Sequence, residues 1–193
     1  MVPTGRDPPT QLAAMAGRPA GAYRPVAAAE AFFRPCRPAD VARAAALEAA
    51  SYPADEAASR EALEFRQREA GAAFVVAEKA GAGAVVGFVC GTQTHAGALT
   101  HDSMGTHEAG GHLLCIHSVC VEEKERRRGL GLRLLKAYLV LVGGALPEVT
   151  AVRLICKAHL INFYEQAGFA VVGPSPVVHG ADPWTEMAFT PSR

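Results

Sequence analysis

The stretch that most constrains this chain runs over residues 113–132, LLCIHSVCVEEKERRRGLGL. Its first half is apolar and β-branched, the composition of a buried strand. Its second half passes through a basic loop with Gly129 and Gly131 into a helical pattern. A strand that feeds a glycine-containing turn and then a helix binds anions well. The missing β-carbons allow close backbone approach, and the positive end of the helix dipole faces the loop. The dinucleotide fingerprint G-x-G-x-x-G and the P-loop ending G-K-[ST] are both absent from this stretch. What stands there instead is Arg126-x-x-Gly129-x-Gly131.

A second motif lies downstream, Asn162-Phe163-Tyr164-Glu165-Gln166-Ala167-Gly168-Phe169, a short helix followed by a glycine turn and a new strand. Together the two motifs resemble the GCN5-related N-acetyltransferase (GNAT) superfamily, in which the R-x-x-G-x-G loop holds the acetyl-CoA pyrophosphate. Within it, Cys115-Ile116-His117-Ser118-Val119, residues 126–131, Phe163-Tyr164-Glu165 and Gly168-Phe169 fall in register with the arylalkylamine, serotonin-acetylating type. The resemblance covers roughly residues 30–190 and is closest to the non-vertebrate branch. It implies a mixed, mostly antiparallel α/β (α+β) sheet flanked by helices, with acetyl-CoA as co-substrate bound where a central strand splays.

Length and patterning set the frame for that comparison. At 193 residues the chain holds one domain with a proper core. Residues 1–29 are rich in Ala, Pro, Gly and Arg without apolar periodicity, which predicts a poorly ordered tail ahead of a domain over 30–193. A dispensable tail and an organellar transit segment both fit that composition, although serine is absent from it. Nineteen basic residues balance nineteen acidic ones, so no general attraction to nucleic acid or membrane is expected. Cys36, Cys90, Cys115, Cys120 and Cys156 form an odd set without C-x-x-C spacing. Reduced, buried thiols and a cytoplasmic location follow as expectations.

In chain order, a strand is predicted over 31–36, a helix over 37–51 and a second helix over 55–70 with Ala58, Ala62 and Phe65 buried. A hairpin follows over 74–93, turning at residues 81–83, and then a long loop over 94–111 that carries His95, His101 and His107. No carboxylate or cysteine pattern completes a zinc site there, so no metal is expected and the loop is read as a cover for the amine side of the pocket. The central strand spans 112–121 and the main helix 129–143, with Leu130, Leu134, Ala137, Tyr138 and Leu141 toward the sheet and Gly143-Gly144 as its C-cap. A strand over 151–156, the short helix over 161–166 and strands over 169–172 and 184–189 complete the order β-α-α-β-β-β-α-β-α-β-β.

Acetyl transfer to an amine needs a proton acceptor, donors for a developing oxyanion and a proton for the departing thiolate. His117 is the candidate base, and period-2 geometry puts Cys115 on its face of the strand. A hydrogen-bonded core histidine is the alternative. The family carries a second histidine where Cys115 stands; the cysteine removes one link of a possible proton relay and leaves His117 as the principal base. A nucleophilic role for Cys115 would require a cation that lowers its pKa. By the resemblance, Tyr164 is the general acid and also contacts the cofactor. Val119, Cys120 and Val121 would pair with the pantetheine arm, with an N–H near Val119 meeting the oxyanion. Arg126, Arg127, Arg128, Gly129, Leu130, Gly131 and Leu132 would hold the phosphates. Tyr52, Pro53, Ile155 and Trp184 lie where the family lines its aromatic-amine pocket. Asp182 or Glu186 pointing inward would favour a polyamine instead. The partner expected is a small-molecule amine, and the chain is expected to be a monomer.

Overall fold

A computed structural model describes residues 31–191, so the expected tail over 1–29 lies outside the described residues. Seven strands form one sheet: β1 (Ala31–Pro35), β2 (Phe74–Lys79), β3 (Val85–Thr94), β4 (Leu113–Val121), β5 (Ala151–Cys156), β6 (Ala170–Pro174) and β7 (Thr185–Phe189). Their order is β1-β2-β3-β4-β5-β7-β6, antiparallel at every junction except β4 with β5. Four helices accompany them: α1 (Val41–Ala49), α2 (Arg60–Glu69), α3 (Leu130–Ala145) and α4 (Ile161–Glu165). The expected order of elements and the mixed, mostly antiparallel sheet with helices on its faces are what the chain adopts.

Each sheet face has its own core. Leu114 and Ile116 of β4 pack with Leu130, Leu134, Leu135, Tyr138 and Val142 of α3. On the other face, Cys90 and Cys120 pack with Val41, Ala44 and Leu47 of α1 and Leu63 of α2. Gly91 sits at a crowded point of the sheet. A β-carbon there would lie 2.6 Å from the Cys115 carbonyl oxygen and 3.0 Å from the Tyr138 hydroxyl, so only glycine fits.

Several helix boundaries and faces differ from expectation for local reasons. α2 begins at Arg60 rather than at 55, because the Ser59 side chain accepts the Ala62 N–H as N-cap and the preceding residues run as turns. Its buried positions are Leu63 and Arg66, while Ala58, Ala62 and Phe65 are only partly covered. α3 runs through Gly143 and Gly144 to Ala145 and ends ahead of Pro147, which disfavours helix in the residue before it. Leu135 and Val142 are buried in place of Ala137 and Leu141, the latter 39% exposed. All five cysteines are buried free thiols. Among the described residues no helix is long and apolar enough to cross a membrane, and no cluster of His, Cys, Asp and Glu could hold a metal ion.

Candidate active site

The site begins as a fault in the sheet. β4 pairs with β5 only from Leu113 to Cys115, against Ala151 to Arg153, and the strands then part. The backbone of residues 116–121 therefore has no β5 partner on that side. The Val119 N–H turns into the gap, where the Tyr52 hydroxyl accepts it at 3.3 Å. That is long for such a bond, so a better acceptor would compete for the N–H.

A β-bulge shapes the opposite edge of β4. Cys90 pairs with Ser118 and Gly91 with Ile116, which leaves His117 as the extra residue. His117 and Ser118 consequently fall side by side on the α1 face, and simple alternation resumes with Val119 turned toward α3. The His117 ring is fixed by β3. Thr92, fully buried, donates its hydroxyl to the Ser103 carbonyl at 2.6 Å and stands 2.7 Å from His117 Nε2. A hydroxyl whose proton is committed to Ser103 can only accept from the ring, which assigns the proton to Nε2 and leaves Nδ1 as the basic nitrogen. Burial holds the imidazole pKa well below its ordinary 6.5, Arg66 and His179 add to this, and the Ser103 carbonyl partly opposes it. His117 is therefore neutral at pH 7.

One cavity collects six of the expected residues. His117, Val119, Tyr164, Tyr52, Ile155 and Trp184 all line it. Tyr164 stands at its buried end, its ring edge-on to Phe163 and Phe169, and burial raises its phenol pKa. Leu99 and Met104 of the long loop supply wall, while Trp184 donates its Nε1–H to the His179 carbonyl at 2.5 Å. Of the expected catalytic and amine-pocket residues, two are not brought there. Pro53 is exposed and faces away from the cavity, because the chain turns outward after α1. Cys115 shares the His117 face but is sealed into a small cluster with Leu99, Leu113 and Val177. Burial pushes its thiol up to about 11, the opposite of an activated nucleophile.

The glycine loop has a built conformation. Arg127 at φ 61° and Gly129 at φ 76° are both left-handed, and Gly129 is the N-cap of α3. Alternating such residues turns successive N–H groups toward one side. Arg126 is drawn back onto the protein, its Nε donating to the Val121 carbonyl at 2.8 Å and its Nη2 to Ser51 Oγ at 3.0 Å. Arg128 pairs with Glu125 at 3.0 Å. Gly131 packs beside Phe163 of α4, where a β-carbon would make an ordinary contact at 3.5 Å. The parted strand edge and the cradle of N–H groups fit an extended thioester cofactor with a phosphate-bearing end.

Three residues of the site had no prior assignment. Thr92 reads in sequence as one more strand residue. Glu48, on the apolar side of an alanine-rich helix, accepts from Ser118 Oγ and the Ala58 N–H, each at 3.0 Å, and from the Cys120 thiol at 3.1 Å. Its place among Val41, Ala44 and Leu47 is the one signal that could have drawn notice. Glu56 lines the cavity and pairs with Lys157, which also holds Asp182.

Comparison with known proteins adds a family and a fold. Residues 41–169 match the family described as Acetyltransferase (GNAT) family. The serotonin N-acetyltransferase of Pan troglodytes is 33% identical over 105 residues, 54% of this chain and 50% of that protein. The Homo sapiens protein is 32% identical over 105 residues, with the same shares. The chain thus spans about half the length of these curated relatives. Among solved structures, Ard1 from Thermoplasma volcanium superposes with a TM-score of 0.67 at 22% identity, over 85% of this chain and 99% of that one. The GphF GNAT-like decarboxylase in complex with isobutyryl-CoA gives 0.69 at 21% identity, over 83% and 100%. Identities this low speak for the fold alone.

Proposed function

The chain belongs to the acetyltransferase (GNAT) family, and from that premise we propose that it transfers acetyl from acetyl-CoA to the primary amine of an arylalkylamine such as serotonin, tryptamine or phenylethylamine. The observation that carries this reading is a single cavity in which a neutral histidine, a protonated tyrosine and the mouth of a parted strand meet walls of Tyr52, Ile155 and Trp184. Flat apolar walls favour a ring, and the polar end sits where proton transfers are needed.

Acetyl-CoA supplies the activated acyl group as a thioester. Residues 126–131 and the Gly129 end of α3 would hold its phosphates, and the free edge of residues 119–121 its extended arm. His117 Nδ1 would receive the ammonium proton, directly or through water, while Thr92 keeps the other nitrogen protonated and the ring oriented. The Val119 N–H would serve the developing oxyanion in exchange for its long bond to Tyr52. Tyr164 would protonate the departing thiolate, its apolar surroundings ensuring that the phenol holds its proton beforehand.

A polyamine is the competing substrate class. Glu186 is paired with Arg153 at 3.2 Å and Asp182 with Lys157 at 2.9 Å, so neither is left to receive a second ammonium. The test is CoA-thiol release from acetyl-CoA with tryptamine, serotonin, phenylethylamine, spermidine and a lysine peptide. Aromatic amines should give the highest kcat/KM. Preference for spermidine or the peptide would reject the substrate class, and no release with any amine would favour a non-catalytic acyl-CoA-binding module.

A further inference from the structure

Glu56, in the turn between α1 and α2, has a role still open. Its side chain is 3% exposed. Oε1 accepts from Lys157 Nζ at 2.8 Å, and Oε2 has no hydrogen-bond partner among the described residues. The surroundings hold the residue in place from three sides. The Glu56 N–H donates to the Pro53 carbonyl at 3.0 Å, and its own carbonyl accepts from His179 Nε2 at 2.9 Å. Gly180, at φ 68°, lies so near that a β-carbon on it would stand 2.7 Å from Glu56 Cγ. Glu56 also lines the cavity that contains His117 and Tyr164.

A buried carboxylate oxygen without a donor is unfavourable, and because Glu56 lines the cavity a donor admitted there would satisfy it. Charge indicates which donor. Lys157 is shared between Glu56 and Asp182, so the three groups carry a net charge of minus one. His117 is neutral, and Glu186 is neutralised by Arg153. The Glu56 side of the cavity is thus complementary to one positive charge, while the buried Arg66 cation bears on the His117 side. His179 links the two regions, since it bonds the Glu56 backbone and lies close enough to His117 to influence its protonation.

We propose that Glu56 Oε2 is the receptor for the substrate's ammonium group, holding the monocation beside His117 before it is deprotonated. This deepens the function proposed above and rests on that reading. Ammonium recognition by one carboxylate oxygen also sets specificity, because it favours amines over their neutral analogues and single cations over multiple ones. Asp182, exposed and already paired, is spared for holding Lys157 in place.

The test is direct binding at pH 7 by titration calorimetry, using the full chain saturated with CoA. The ligands are tryptamine and its uncharged counterpart tryptophol, in which a hydroxyl replaces the amine. The wild type should bind tryptamine at least about tenfold more tightly than tryptophol, the usual scale of a charged hydrogen bond. Glu56→Gln, which keeps the shape and removes the charge, should bring the two within about threefold, and Glu56→Asp should retain part of the preference. Equal binding of the two ligands by the wild type would overturn the proposal, as would an undiminished preference in Glu56→Gln. Turnover is read separately, so the ammonium site and the proposed reaction can fail independently.

Discussion

Replacing Thr92 with valine tests the least conspicuous support of the site. The substitution keeps the volume and branching but removes a hydroxyl that makes two bonds, 2.6 Å to the Ser103 carbonyl and 2.7 Å to His117 Nε2. Both partners would be left unsatisfied, and an orphaned buried polar group costs about 1–3 kcal/mol. The His117 N–H borders the cavity and can turn to water. A net loss of about 2–3 kcal/mol follows, which in urea moves the unfolding midpoint down by about 1 M for an m-value near 2 kcal/mol/M. The freed ring also loses the bond that fixes its tautomer, so kcat should fall by about tenfold, less than the roughly 10²–10⁴ of losing a general base outright, because the ring itself remains. Thr92→Ser, which restores the hydroxyl, should recover most of kcat. A midpoint within about 0.3 M of wild type together with unchanged kcat would refute the assignment of that hydroxyl.

Two further outcomes follow from the same geometry. The folded-state pKa of His117 lies well below 6.5, so between these values the unfolded chain binds a proton that the folded chain does not. Stability should therefore fall as pH drops below about 6.5, by up to about 1.4 kcal/mol per pH unit from this group, and His117→Asn should flatten that slope in urea melts between pH 7.5 and 5. An unaltered slope would contradict the burial argument. At the loop, Gly129→Ala places a β-carbon on a residue at φ 76°, which costs about 1–2 kcal/mol and should weaken acetyl-CoA binding more than Arg126→Ala, since Arg126 is engaged with Val121 and Ser51. Greater damage from the arginine, measured by calorimetry, would mean that its charge rather than the backbone holds the phosphates.

Much of the fold could be read from residues 113–132 because strand, glycine turn and helix are local patterns. The apolar stripe of α3, the glycine turn and the order of elements all follow from nearest-neighbour chemistry. The misreadings arose where distant contacts decide. Nothing local predicts the bulge at His117, because it depends on Gly91 facing the Cys115 carbonyl and Tyr138 across the sheet. Alternation alone would put Ser118 opposite His117, whereas both reach the α1 face. α2 begins late because Ser59 caps it and the turns before it serve Glu48 and Glu56, whose partners are 70 and 101 residues away. Pro53 lies next to Tyr52 in sequence but outside the cavity, since a turn separates neighbours as readily as it joins strangers. Thr92 gains its meaning only when residues 94–111 fold back to present Ser103.

The central claim is that the cavity at the parted strand performs acetyl transfer with Tyr164 as its acid. The most direct measurement is the turnover of Tyr164→Phe with tryptamine, alongside acetyl-CoA affinity measured without amine. Loss of the hydroxyl alone should lower kcat by about 10²-fold, the lower bound for a general acid, and leave acetyl-CoA binding within about twofold. Unchanged kcat would contradict the assignment of Tyr164, and with it the account of how the thiolate departs.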